Sequence, residues 1–230
     1  MVKTVIINGQ SHKGSTCHIA HMLADKIGGE VKEFFLPRDF GEFCIGCTKC
    51  FADSEMKCPH YEKLKPITAA MDESDVIIMA SPVYVYHATG AMKAFLDHYG
   101  YRWMVHRPVE SMFKKQGVCI STASGAGMKS TNKDMADSLF FWGVPKRYSI
   151  GIGVAAVDWN CVSDKKKKNI DNITSNIAKK IKKNAGKVNP GFRTRAFFFM
   201  MHLMQKNGFN PRDAEYWKEK GWTQKARPWK

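Results

Sequence analysis

Four cysteines, Cys44, Cys47, Cys50 and Cys58, follow the spacing Cys-x2-Cys-x2-Cys-x7-Cys. Thiolates at this density can hold an iron–sulfur cluster or zinc. Two-residue gaps wrap one face of a cubane, and the fourth cysteine returns from a short loop. Free thiols serving as packing groups or as a redox pair fit the same spacing, which identifies candidate ligands and not occupancy. A second stretch with chemical potential is Asn8-Gly9-Gln10-Ser11-His12-Lys13-Gly14-Ser15-Thr16. It follows an apolar run and precedes a segment of helical spacing. A helix N-terminus presents free backbone N–H groups and a positive dipole end to an anion. Ser11, Ser15 and Thr16 add hydroxyls, His12 and Lys13 add cationic character, and the glycines permit close backbone approach. The stretch is neither Gly-x-Gly-x-x-Gly nor Gly-x4-Gly-Lys-Ser/Thr. Ser15 or Thr16 acting simply as an N-cap is the competing explanation.

Two more loops end apolar runs in the same manner. Ser81-Pro82-Val83-Tyr84-Val85-Tyr86-His87 follows Asp75 to Ala80, and Ser121-Thr122-Ala123-Ser124-Gly125-Ala126-Gly127 completes the run from Gly117. Small residues in the second loop allow a ligand to approach the backbone. Tyr84 and Tyr86 offer aromatic contact, and with His87 they are candidates for touching a substrate.

The elements that must position these loops alternate. Strands are expected at Val2–Ile7, Val31–Leu36, Asp75–Ala80, Gly117–Thr122 and Tyr148–Val154. Helices are expected at Thr16–Ile27, Tyr61–Met71, Thr89–Tyr99, Lys129–Trp142 and Asp164–Asn184, with Pro66 arguing against the second of them. Apolar residues at 170, 173, 177 and 181 form one stripe of the last helix, and Asp164 or Ser163 can cap it. Five strands alternating with helices specify an α/β fold with a parallel sheet covered on both faces. Right-handed crossovers leave few topologies, of which 2-1-3-4-5 is expected. In that order ligands sit at the carboxyl ends of the strands where the order reverses.

The loop after the first strand resembles the phosphate loop of flavodoxin-like NAD(P)H-dependent FMN reductases, with Gln10 where serine is frequent. Ser81-Pro82-Val83-Tyr84 followed by Lys93-Ala94-Phe95-Leu96-Asp97 resembles the family's Ser-Pro-Val-Tyr…Lys-x-Phe-x-Asp signature and is the most specific motif in the chain. The resemblance covers residues 1–187. It implies a flavodoxin-like three-layer sandwich and FMN held by Ser11, His12, Lys13, Ser15 and Thr16 at the phosphate. It further implies Pro82, Val83, Tyr84, Val85 and Tyr86 along the ring edge, and Thr122, Ala123, Ser124, Gly125 and Gly127 at the pyrimidine end. NAD(P)H would be the co-substrate, with a quinone, a flavin or a similar small acceptor downstream, and no acid–base residue is obligatory. The cysteine spacing is similar to that of the iron–sulfur flavoprotein branch. There Cys44, Cys47, Cys50 and Cys58 would hold a 4Fe-4S cluster and the partner would be a redox protein.

The chain has 230 residues and a net charge of +15. From Asn160 to Lys230 there are 18 Lys/Arg against 5 Asp/Glu, so the preceding part is almost neutral. A charge run alone specifies no partner. Here it is read as a solvated face plus packing surface, with no nucleic-acid motif. Residues 188–230, rich in aromatics and including Ala196-Phe197-Phe198-Phe199-Met200-Met201, form a C-terminal helical extension expected to pack on the domain or on a neighbouring subunit of a homodimer or homotetramer. No apolar run reaches 18 residues, so no transmembrane segment is expected. A cytoplasmic location follows as the default. Cys17, Cys119 and Cys161 lie apart from the quartet, and Cys119 reads as a small buried hydrophobe.

Overall fold

In the computed structural model, which describes residues 1–156, 158–208 and 210–230, five strands form one parallel sheet in the order β2-β1-β3-β4-β5. They are β1 (Lys3–Asn8), β2 (Glu30–Phe35), β3 (Val76–Ala80), β4 (Gln116–Ala123) and β5 (Lys146–Gly153). The α/β expectation and the strand order hold. β3 is buried along its whole length and β4 along all but its last residue, whereas β2 and β5 at the edges are largely exposed or half-buried. That contrast explains why the central runs read as continuously apolar.

Strand alternation divides the core into two layers. Ile6, Ile78, Val118 and Ile120 face one side and pack with Ile19, Leu23 and Ile27 of α1 (Ser15–Ile27) and Ile170, Ile177 and Ile181 of α6 (Asp164–Asn184). Val5, Ile7, Ile77, Met79 and Cys119 face the other. They meet α3 (Tyr61–Glu73), α4 (Gly90–Asp97) and α5 (Met128–Phe141). Cys119 is completely buried, as its apolar neighbours suggested. Pro66 does not interrupt α3. An interior proline costs a helix about 3 kcal/mol, and burial of Leu64, Ile67, Ala70 and Met71 on one face offsets it. Ser163 stands at the cap position of α6, yet its side chain makes no capping bond, and Asp164 is the acidic residue of the first turn. The lysines of α6 are mostly exposed, away from its buried stripe.

The segment between the second and third strands is not wholly a loop. It contains the four-residue helix α2 (Lys49–Ala52) and a 3-10 turn at Glu55–Lys57. Beyond α6, helices α7 (Phe192–Lys206) and α8 (Pro211–Glu219) pack on the same molecule. Phe198, Met201, Trp217 and Trp222 join Met104, Phe113 and Phe140 in a third apolar cluster. Polar contacts fix the angle of approach. The indole of Trp217 donates to the His106 carbonyl (2.6 Å) and the Tyr216 hydroxyl to the Pro108 carbonyl (2.8 Å). Asp213, fully buried, pairs with Arg107 (2.6 Å) and His106 (2.7 Å). No helix among the described residues is long and apolar enough to cross a membrane.

Removing one partner of a buried ion pair leaves an uncompensated charge, at a cost of about 3–5 kcal/mol. Asp213→Ala is therefore expected to lower unfolding free energy by about that amount. Urea denaturation followed by circular dichroism measures it, and a loss below about 1 kcal/mol, the value of an exposed pair, would contradict the role given to this contact.

Candidate functional site

The site starts at the reversal of strand order, where β1 lies between β2 and β3 and the chain leaving each strand turns to opposite faces. The amide of Gly9 donates to the Ala80 carbonyl (2.7 Å), carrying the β1–β3 pairing one residue beyond the strand. The Thr89 hydroxyl then donates to the Gly9 carbonyl (2.5 Å) and accepts from the Met92 amide (3.1 Å), capping α4. A Cβ at Gly9 would lie 2.9 Å from that hydroxyl and 3.0 Å from the Ser81 oxygen, so only glycine lets the loop pass here.

The chain then enters α1. Gly14 occupies the N-cap position, and no side chain caps the helix. Ser15 and Thr16 are inside the first turn, so the simple N-cap explanation fails for both. The first-turn amides are left for another acceptor. His18 is held below its ordinary value, by burial first and then by His21 and Lys13. Thr16 shares a hydrogen bond with Thr122 at the end of β4 (2.6 Å), joining two of the three loops. Gln10 joins the third, accepting from the Tyr84 hydroxyl (2.7 Å) and bonding His12 (2.9 Å).

The loop after β3 is a tight reversal. Tyr84 and His87 exchange both backbone hydrogen bonds (2.9 and 3.0 Å), which leaves Val85 and Tyr86 as its two central residues at φ 48° and 67°. Positive φ at both positions is the type I′ pattern, usually given to Asn and Gly. A β-branched valine there is strained, by an amount of order 1–3 kcal/mol. The neighbours hold it in place. Ser130 donates to the Tyr86 carbonyl, the Ala88 amide donates to Asp134 (3.1 Å), and His87 bonds the same carboxylate (3.1 Å). Gly127, at φ 95°, lies beneath this turn, and a Cβ on it would come within 2.6 Å of Val83 and 3.1 Å of the Tyr86 backbone.

Together these loops line one open pocket with a cavity volume of about 180 Å³. His12, Ser15, Thr16, Pro82, Val83, Tyr84, Thr122, Ala123 and Ser124 border it with Gln10 and Gly14 of the same first loop, joined by Val154 and Ala156, which no signal in the sequence marked. Other expected residues stand back from it. Ser11 points to the Leu36 carbonyl (3.5 Å), Lys13 lies over the Phe35 ring (6.0 Å), and Val85, Tyr86 and Gly125 are exposed. The free first-turn amides at the head of α1 fit a phosphorylated ligand.

The four spaced cysteines converge in a separate pocket. Cys44, Cys47, Cys50 and Cys58 line it with Ile45, Phe51 and Pro59. Burial first, then the Cys58, Cys44 and Cys47 thiols, pushes the Cys50 thiol up to about 11. Crowded thiols of this kind suit a metal or cluster, whose positive charge favours the thiolate. Two histidines, also missed in the sequence, reach the same pocket: His60 bonds His98 (2.9 Å), and both lie near Cys58. Their positions 38 residues apart carry no local spacing signal. Arg107, anchored by Asp213 of α8, donates to the carbonyls of Cys50 and Phe51. The aromatic extension thus touches the cysteine loop.

A family model described as NADPH-dependent FMN reductase matches residues 2–155. An iron-sulfur flavoprotein of Archaeoglobus fulgidus is 30% identical over 201 residues, covering 84% of this chain and 86% of that protein. An iron-sulfur flavoprotein of Methanocaldococcus jannaschii is 24% identical, covering 61% of this chain and 76% of the other. Among solved structures, a flavone reductase superposes with a TM-score of 0.58 at 19% identity, over 83% of this chain and 66% of the reductase, just under two thirds of its length. An FMN-dependent NADH-azoreductase from Bacillus anthracis superposes with a TM-score of 0.54 at 12% identity, over 76% and 99% of the two chains. At these identities the structural matches establish the fold.

Gly127 carries both a left-handed backbone and a contact too close for any side chain. Gly127→Ala is expected to destabilise the protein by about 1–3 kcal/mol and to displace the Val83–Tyr86 turn. Chemical denaturation reads the first effect, and a change under about 0.5 kcal/mol, the size of an ordinary surface substitution, would show that the turn relaxes freely.

Proposed function

The chain belongs to the NADPH-dependent FMN reductase family and is an NAD(P)H-dependent flavin oxidoreductase, and from that premise we propose that its acceptor is a small oxidant such as a quinone or a flavin. The observation that carries this reading is the open pocket at the strand reversal, where three loops from three strands meet on one unfilled helix N-terminus. When bound, FMN supplies a two-electron centre that takes hydride from NAD(P)H and passes the electrons to the acceptor.

The residues of this chain have distinct tasks in that chemistry. The amides of Ser15 and Thr16, with their hydroxyls and His12, would hold the phosphate at the head of α1. Lys13 supports it as a nearby cation. Pro82, Val83 and Tyr84 would flank the ring system, with Val85 and Tyr86 presenting the turn above it. Backbone N–H groups of this strained turn are fixed donors for charge that grows on the ring edge during reduction. Thr122, Ala123, Ser124, Gly125 and Gly127 would receive the opposite end of the ring. The exposed Tyr84, Tyr86 and His87 are suited to meeting the acceptor or the nicotinamide.

A second reading rests on a separate observation, the convergence of Cys44, Cys47, Cys50 and Cys58. These four thiols would hold a 4Fe-4S cluster, which supplies one-electron transfer, and the protein would then serve a redox partner. Arg107 and Asp213 would keep the Cys50 segment in register for it. The names of the archaeal relatives support this reading. The domain division at residue 187 and a homodimer or homotetramer are part of the proposal.

Two measurements test it. Anaerobically purified protein should carry flavin absorption that bleaches on addition of NAD(P)H. Bleaching within the turnover time with little iron supports the reductase reading. About four irons per chain, the content of one cubane, with slow direct bleaching supports electron transfer. Protein that neither retains nor binds FMN would overturn both. Separately, Thr16→Val should raise the FMN Kd about tenfold, the loss of one hydrogen bond to a charged group. Fluorescence titration reads that constant, and an unchanged value would remove Thr16 from the phosphate site.

A further inference from the structure

Outside both pockets, three side chains of metal-binding type meet between α1 and the edge strand β2. Cys17 and His21 stand four residues apart on one face of α1, and Glu33 points at them from β2. The Cys17 sulfur lies 3.7 Å from His21 Nε2 and 4.0 Å from Glu33 Oε1, and His21 Nε2 lies 2.6 Å from Glu33 Oε1. One ligand atom from each thus falls within a single coordination sphere. Neither pocket described above includes any of the three.

We propose that Cys17, His21 and Glu33 form a binding site for one borderline divalent cation, with Zn2+ as its ligand of choice. The donor set is sulfur, imidazole nitrogen and carboxylate oxygen, which suits zinc and disfavours Mg2+ or Ca2+. Tetrahedral zinc with bonds of about 2.0–2.3 Å sets its donors roughly 3.3–3.6 Å apart. The observed triangle reaches that geometry when the His21–Glu33 edge opens and the Cys17–Glu33 edge closes, each by less than about 1 Å. His21 and Glu33 have room to do so, with side chains 37% and 23% exposed. Their exposure also leaves the fourth position open to water. Asn8 donates to the same Glu33 Oε1 (2.8 Å) and so holds the carboxylate in place beside His21. Outer contacts of this kind orient metal ligands and strengthen the site. Asn8 Oδ1 itself is buried without a partner, although the residue is only 2% exposed.

Binding is balanced by one proton. The Cys17 thiol loses its proton to solvent and the thiolate takes the metal. His21 coordinates as the imidazole through Nε2, with its ring proton on Nδ1. Glu33 contributes its charge unchanged. Bound zinc would tie α1 to β2 one residue beyond Thr16. The site stands independently of the flavin and cluster readings.

The test adds one equivalent of zinc sulfate to full-length protein, with whatever FMN and iron it retains, and to Cys47→Ser, His21→Ala and Glu33→Gln. Metal content after gel filtration and zinc-edge X-ray absorption are measured for each. The expected result is one zinc per chain with a single sulfur and three lighter donors. Retention in Cys47→Ser and affinity at least tenfold lower in His21→Ala and Glu33→Gln complete it. Thermal unfolding gives a second readout, because zinc should raise the midpoint of the parent protein and leave that of His21→Ala unchanged. A sulfur-only shell, or zinc lost with Cys47→Ser and kept by His21→Ala, would assign the metal to the cysteine pocket and overturn the proposal. Failure of the parent protein to retain zinc would overturn it equally.

Discussion

Everything at the proposed flavin site depends on the parallel pairing of β1 with β3. Parallel neighbours cannot be joined by a tight turn, so each strand must leave the sheet through a crossover at the same end. With β2 on one side of β1 and β3 on the other, the exits diverge and leave a crevice between them. The Gly9–Ala80 hydrogen bond extends the pairing into the loop, and the Thr89–Gly9 bond closes the corner. These two contacts set where the head of α1 points. The free amides of its first turn then face the crevice.

Strain is concentrated where the ring system would lie. Val85 and Tyr86 adopt backbone conformations that their side chains resist, and Gly127 is squeezed beneath them. Such a turn persists because Ser130, Asp134 and the Tyr84–His87 bridge over-determine it. A rigid turn keeps its N–H donors aimed before any ligand arrives. That preorganisation is what a redox cofactor needs if charge is to develop without rearranging the protein.

The extension beyond α6 adds a second layer of control. Its aromatic cluster supplies burial, and Asp213 supplies direction, since a buried carboxylate between Arg107 and His106 tolerates little displacement. Arg107 passes that constraint to the Cys50 carbonyl. A cysteine loop with little regular structure of its own is thereby held against a tail that follows it by some 150 residues. Of the tail's basic residues, Arg212 takes part in this contact directly, donating to the Asp53 carbonyl (3.0 Å).

Local pattern was enough for the five strands, the order of the sheet and the three loops at its carboxyl edge. Continuous apolar runs, helical spacing and loop glycines are all properties of neighbouring residues, and the rule for parallel crossovers converts them into topology. The cysteine quartet was legible for the same reason, being compact in the chain. The α1 helix start was left ambiguous, because whether Ser15 or Thr16 caps its own helix depends on backbone angles that only the folded loop sets. Tertiary structure alone brought His60 and His98 to the cysteines, Glu33 to Cys17 and His21, Tyr84 to Gln10 and Asp213 to Arg107. Each of those encounters joins residues far apart in the chain, and their side-chain directions follow from sheet register and helix rotation, which no short window of sequence contains.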